Sequence, residues 1–432
     1  MRTTTDVVVI GGGLAGLTAA TFLARAGRTV TLFEKAPTVG GRATTHTKDG
    51  FHFNLGPHAL YRAGHGARIL RELGVPFTGS MPSASGGYAI AHGTAHTLPA
   101  GLVSLLTTGL LRLPGKLETA CILGTFNKID AQTVQHLTVR EWLEQAIHQP
   151  DVRGLVQALF RVATYADDPE HQSAGAALAQ LQMALTSNVL YLDGGWQVLV
   201  DGLYAAAQTA GVKIATGKRA VAIDYDTAVR GLHLADGSTL TATAVLLTGS
   251  PADAAALVQN SDILRQWVDT AIPVKAACLD IGLARLPRPR ALFALGIDRP
   301  LYFSVHSAVA RLGPDGGAVI HTAKYLNTAV RTDPKADEQE LEGILDAMQP
   351  GWREVVVERR FLPNMVVSHL LVTAAAGGTA GRPRPIVPGI ANLYVAGDWV
   401  GSEGLLADAS LASAKRAAEL IMRSAEIRAA AA

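Results

Sequence analysis

The chain has 432 residues, of which 48% are hydrophobic and 17% charged, with a net charge of +2 and a mean hydropathy of +0.21. That length predicts two domains around a large apolar interior, with apolar surface to spare for a greasy substrate, a partner or a membrane face. The near-neutral balance, with no basic run, excludes a nucleic-acid binder. Two distant cysteines, Cys121 and Cys278, exclude a disulfide framework and a zinc site, and are expected as buried thiols in a reducing cytoplasm.

In chain order, residues 7–10 (Val-Val-Val-Ile) read as a buried strand, too short for a signal-peptide core. Residues 14–26 carry Leu14, Leu17, Ala20, Leu23 and Ala24 at helical spacing, and Gly27 ends the helix. Residues 29–33 are β-branched and apolar, a second strand closing on Glu34, so the segment is one βαβ unit. The Ser/Gly/Pro-rich stretch 79–87 marks a boundary. Residues 98–187 read as mostly helical, and 196–210 as another helix. Strands are expected from 212, over 220–225 and 231–235, and, after an Asp236-Gly237 turn, over 243–248. Strands over 276–283 and 318–325 belong to a second sheet. A helix over 341–348, a short strand over 393–396 and an Ala-rich helix over 409–427 follow. Residues 73–111 hold no Asp, Glu, Lys or Arg, but Pro99, Gly101 and Gly109 break the apolar part short of the ~20 residues a spanning helix needs. The expectation is a cytoplasmic protein, with peripheral membrane contact left open.

The chemistry begins at Gly11-x-Gly13-x-x-Gly16, directly after a strand and opening a helix. Gly11 allows the tight turn, Gly13 lets a pyrophosphate reach the backbone, and Gly16 lets helix and strand pack closely. Leu14 and Ala15 start the helix, whose N-terminal N–H groups attract phosphate. Glu34, followed by Lys35, stands where an acid takes ribose hydroxyls. This arrangement predicts dinucleotide binding.

Beyond Glu34 come Gly40-Gly41-Arg42 and then Asn54-Leu55-Gly56-Pro57-His58; near the other end stand Gly397-Asp398 and Leu405-Leu406-Ala407. With these motifs the chain resembles the flavoprotein family of amine oxidases, protoporphyrinogen oxidases and phytoene-type desaturases. The resemblance implies an α/β fold: a Rossmann-like FAD-binding domain of the glutathione-reductase type (residues 1–79, 191–260 and 385–432) interleaved with an α+β substrate domain (80–190 and 261–384). It implies that Arg42 meets the FAD pyrophosphate and that residues 55–58 run beside the isoalloxazine. Asp398 would serve the ribityl and phosphate region, 405–407 would aim a helix N-terminus at the flavin pyrimidine, and Val221 would touch the adenine through its backbone. No cysteine lies near the C-terminal motif, so FAD is expected noncovalent.

A single dinucleotide turn favours an enzyme that oxidises its substrate over one fed by a nicotinamide. The resemblance then implies oxidation or desaturation of an apolar small molecule by hydride transfer to flavin N5, with oxygen or a quinone as electron acceptor. An amine or amino-acid oxidase is the alternative, although no convincing aromatic pair for an amine cage is visible. A flavin-binding protein without turnover is the alternative from another class. Lys275 is the candidate held near N5 through a water, against a strand-end lysine facing solvent. His58 is the candidate base, against simple packing beside the cofactor. Trp399 either packs on the flavin or fills a seam. His306, His321 and Tyr325 read as core or surface residues, and no metal is expected, the His92/His96 spacing being coincidental.

Overall fold

The structure, a computed structural model, describes residues 4–431; residues 1–3 and 432 of the expected cofactor domain lie outside that range. Strand Thr4–Ile10 is apolar on both faces because it sits in the middle of a seven-stranded sheet. It pairs in parallel with Val30–Phe33 on one side and with Thr239–Leu247 on the other. Lys213–Ala215 extends the first edge in parallel, and Leu393–Val395 joins the end of Thr239–Leu247 in parallel. Toward the other edge, Val229–Leu234 and Ala220–Tyr225 run antiparallel. Helix Leu14–Arg25 and the closing helix Leu406–Ala431 share one core with the sheet, through Leu17, Leu23, Leu411 and Ala414. The closing helix starts three residues before the expected one.

A second seven-stranded sheet runs in the order Val356–Ser368, Val274–Leu283, Ala318–Leu326, Leu301–Val305, Phe293–Gly296, Tyr88–Ala91 and Thr94–Thr97. Two of its strands are the expected ones, paired with each other antiparallel. Val356–Ser368 escapes sequence reading because Arg359, Arg360 and Pro363 break its pattern. An edge strand tolerates all three, and its pairing with Val274–Leu283 is shifted at several points. Alternation along Val274–Leu283 sends Ala277, Leu279 and Ile281 against helix Pro334–Met348. It sends Ala276 and Cys278 to the opposite face, into a core shared with a helical layer.

That layer is the expected helical region. It comprises Leu102–Thr107, Leu113–Thr125, Val139–Ala146, Pro150–Thr164 and Ala174–Ser187. It begins at Leu102 rather than residue 98, with the extended Gly101 as its cap, and Tyr88–Ala91 and Thr94–Thr97 before it form a hairpin. His92 sits in that turn at φ 49°, so His92 and His96 share no helix face. Cys278 is buried as expected, whereas Cys121 is exposed on helix Leu113–Thr125, a correction to the expected pair of buried thiols. Among the described residues no helix is long and apolar enough to cross a membrane.

Candidate functional site

A cavity of about 1050 Å³ opens along the C-terminal ends of the parallel strands, where an open α/β sheet places its ligands. Both ends of the chain line it: Gly11, Gly13, Leu14 and Ala15 from the start, and Gly397, Asp398 and Leu405 to Asp408 from the close.

The glycines of the first turn divide into two kinds. A Cβ on Gly16 would stand 1.9 Å from the Gly11 carbonyl oxygen, and one on Gly11, at φ 111°, would stand 2.5 Å from Thr248 Oγ1. These two seat the helix on the strand. A Cβ on Gly13 would meet nothing nearer than the Gly40 oxygen at 4.0 Å, so this position faces open space. Gly41, at φ 56°, brings a second bare backbone beside it. Gly13 caps the first helix with no side-chain hydrogen bond, and the first turn carries no acid. Its N–H groups are therefore left for an anion.

Glu34 closes the cradle. Its carboxylate accepts from Gly12 N at 2.6 Å and from Ala36 N at 2.8 Å. Lys35 reaches Asp253 at 3.3 Å on the rim. Val221 also lines the cavity. The strand pairing shifts register between Ala220 and Ala222, which leaves Val221 outside the regular ladder and frees its backbone for a ligand.

Arg42 joins the two ends of the chain. Its guanidinium donates to Asp398 Oδ2 at 2.7 Å and to the Val367 carbonyl at 2.8 Å, and lies 3.2 Å from His369 Nδ1. Asp398 is buried. Burial opposes its charge, but Arg42 and His369 outweigh that and hold the carboxyl well below the usual carboxylate range. Arg382 fixes the loop beyond, donating to the carbonyls of Asp398 at 3.2 Å and Gly404 at 2.8 Å. Burial lowers its pKa to about 10, opposed by Asp398, so it stays charged.

Leu55, Pro57 and His58 line the cavity, while Gly56 does not. Gly56, at φ 73°, lets the segment cross close to the second sheet: a Cβ there would stand 2.8 Å from both Cys278 Sγ and Met365 Cε. His58 Nδ1 lies 3.1 Å from the Gly56 carbonyl and is the donor in that contact. Its ring meets Trp196 edge-on at 4.8 Å. Burial lowers its pKa to about 4, so the imidazole is neutral at physiological pH.

Lys275 does not reach the cavity. It follows the alternation of Ala277 and Leu279 onto the face opposite Cys278, and it is absent from the lining. The expected catalytic pair is thus not brought together. Trp399 is fully buried in the core beneath the sheet, edge-on to Trp267 and bonded to the Gly249 carbonyl at 3.0 Å; it fills a seam and does not line the cavity.

Several liners were not singled out from the sequence as site residues, four of them large or charged and close to the motifs or the second sheet. Trp196 follows Asp193-Gly194-Gly195. Tyr165 ends helix Pro150–Thr164 at φ 61° and donates to the Pro57 carbonyl at 3.1 Å. Met365 comes from the unread edge strand. Asp408 accepts from Gly66 N at 2.7 Å and leaves Oδ2 buried without a partner. Trp196 and Asp408 stood in or beside recognised glycine-rich segments; Tyr165 and Met365 had no such signal.

A bare-backbone cradle at an uncapped helix N-terminus, an acid at the second strand's end and an arginine at the phosphate position together fit the donor set FAD requires. Residues 14–274 match the family model described as flavin containing amine oxidoreductase. The chain belongs to this family. It is a family of flavin-containing oxidoreductases, and FAD is the cofactor of this chain.

The chain is 26% identical over 289 residues to coproporphyrinogen III oxidase of Bacillus subtilis, which covers 59% of this chain and 62% of that protein. It is 54% identical over 52 residues to carotenoid 3,4-desaturase of Haloarcula japonica, 12% of this chain and 10% of that one. The matches thus span less than two thirds of these relatives. An oxidoreductase from Methanosarcina mazei superposes with a TM-score of 0.76 at 18% identity, covering 96% of this chain and all of that one (100%), which establishes the shared fold.

Proposed function

We propose that this flavoenzyme oxidises or desaturates an apolar small molecule of the polyene or porphyrinogen kind, with oxygen or a quinone as final electron acceptor, working in contact with a membrane surface. The observation that carries this reading is the lining beyond the cofactor motifs. Tyr165, Met365, Val366 and Val367 present aromatic and aliphatic groups, and the carboxylates and cations of the lining (Glu34, Lys35, Arg42, Lys218, Arg219, Asp253, Asp398 and Asp408) all come from the segments expected to hold the cofactor. An ammonium or carboxylate substrate would be left there without a charged partner, at a cost of several kcal/mol of desolvation. The relatives named for porphyrinogen and carotenoid oxidation support the same substrate class.

FAD bound noncovalently in the cradle supplies the two-electron acceptor. The remaining work belongs to side chains. Gly13 and Gly41 would admit the pyrophosphate to the backbone, Gly11 and Gly16 seat the helix that meets it, and Arg42 would neutralise it. Glu34 and Lys35 frame the ribose end, and the backbone of Val221 meets the adenine. Leu405, Leu406 and Ala407 line the cavity at the closing helix's N-terminus, whose N–H groups would favour negative charge on a bound flavin. Residues 55–58 form the wall beside the ring system. His58, neutral at physiological pH, orients substrate or takes a proton. Strands of the first sheet come only from residues 4–33, 213–247 and 393–395, which supports the discontinuous cofactor domain.

Anaerobic mixing of the yellow holoenzyme with polyenes, porphyrinogens and amines tests the substrate class. Bleaching of the flavin absorption by a polyene or porphyrinogen is expected; bleaching by amines alone overturns the reading.

A further inference from the structure

Helices Leu102–Thr107 and Leu113–Thr125 invert the usual surface pattern. A helix at the rim of a domain turns its apolar stripe inward and its charges to water. Here Leu105 alone of the first helix is buried, while Leu102, Val103 and Leu106 are 72%, 75% and 63% exposed. The second helix buries Gly115 and Thr119 and exposes Leu113 at 70% and Leu117 at 62%. Ala120, Cys121 and Gly124 continue that outward stripe. Six of the thirteen large hydrophobics exposed among the described residues, Leu123 being the sixth here, fall within residues 102–123. Lys116 Nζ donates to the Leu106 carbonyl at 2.6 Å and ties the two helices into one face.

The charges around this face are of one sign. Arg112 precedes the second helix and Lys116 lies in its first turn; among the described residues neither has a carboxylate within ion-pairing distance. The nearby acids are turned away. Glu118 accepts from the backbone of His148 at 2.7 Å and Gln149 at 2.8 Å, and Asp151 accepts from Arg112 N at 3.2 Å.

We infer that this two-helix face docks on a lipid bilayer carrying anionic headgroups, with Leu102, Val103, Leu106, Leu113 and Leu117 entering the acyl boundary and Arg112 and Lys116 meeting the headgroups. The inference rests on the proposed apolar substrate and names the surface that would serve it. Leucines beside cations that have no carboxylate partner match an anionic interface. A second copy of the chain fits worse, because a two-fold contact would set the same cations against each other with no free acid to pair them.

Co-sedimentation of the holoenzyme with phosphatidylcholine vesicles, with and without phosphatidylglycerol, tests this. Wild-type protein is expected to bind the anionic vesicles, and salt to weaken that binding. L102D/L117D is expected to lose at least roughly tenfold in partitioning while keeping its flavin spectrum and melting temperature. R112Q/K116Q is expected to lose roughly fivefold per cation on anionic vesicles only. Failure of wild type to sediment, equal sedimentation of L102D/L117D, or a lipid-free dimer that L102D/L117D splits in light scattering would each overturn the inference. Vesicle binding requires no substrate. A chain that sediments yet is bleached by amines alone loses the functional reading and keeps the surface.

Discussion

At the scale of single residues, two titrating groups on the cavity wall pull stability in opposite directions. His58 has a folded pKa of about 4 against its usual 6.5, through burial. The unfolded chain therefore takes up this proton first, and the contribution of His58 is complete above pH 6.5 and lost as pH falls toward 4. Asp408 has a folded pKa raised to about 6 from 3.8, by burial and against the opposing effects of Gly66 N–H and Arg68. Its contribution is complete below pH 3.8 and lost as pH rises through 6. Urea unfolding across pH 4–8 separates the two. His58→Asn should flatten the acid-side loss of stability. Asp408→Asn, which keeps an acceptor for Gly66 N–H, should be better tolerated at pH 8 than at pH 4. A third residue acts through its partner: Arg42→Met leaves the buried Asp398 with His369 as its remaining side-chain partner. That variant should lose bound FAD and on the order of 2 kcal/mol of stability, read from flavin content after gel filtration and from urea midpoints.

At the scale of elements, the first turn makes a sharp distinction between two glycines that look alike in sequence. Gly16→Ala drives a methyl into the Gly11 carbonyl, so it should cost about 2 kcal/mol or more and release FAD together. Gly13→Ala enters open space at φ −78°, a conformation any residue adopts, so the melting temperature should hold while FAD binding weakens. Thermal melts of both apoproteins beside FAD titrations check this. The same turn shows why much of the site was legible in sequence. A strand, three glycines, a helix and a terminal acid lie within about thirty residues, and their chemistry is mostly backbone, so spacing alone carries it. The substrate side was not legible. Tyr165 owes its position to a left-handed helix end, and Met365 to an edge strand whose arginines and proline mask its period. Lys275 looked like a strand-end candidate, but a one-residue parity decides which face it takes, and only the pairing of Val274–Leu283 fixes that parity.

At the scale of the molecule, the cofactor cavity is a seam between the chain's first and last segments, so FAD should act as a structural clamp. Removal of FAD should lower the melting temperature, and free FAD at a hundredfold excess over its Kd should restore about 2.7 kcal/mol, read by calorimetry with and without added cofactor. The two-sheet division was foreseeable from where the apolar runs fall, but five strands of the second sheet were not. Phe293–Gly296 and Leu301–Val305 are short, and their intervening Asp298-Arg299-Pro300 reads as an ordinary loop.

The Arg42–Asp398 pair, separated by 355 intervening positions along the chain, also sets a timetable. During synthesis the glycine turn leaves the ribosome early, but Thr239–Leu247 must arrive before Thr4–Ile10 gains its second neighbour. The partner of Arg42 and the helix that faces it arrive later still. The nascent protein therefore cannot close its cradle until Asp398 has been made, and a chain cut short before that residue should lack the means to hold its flavin.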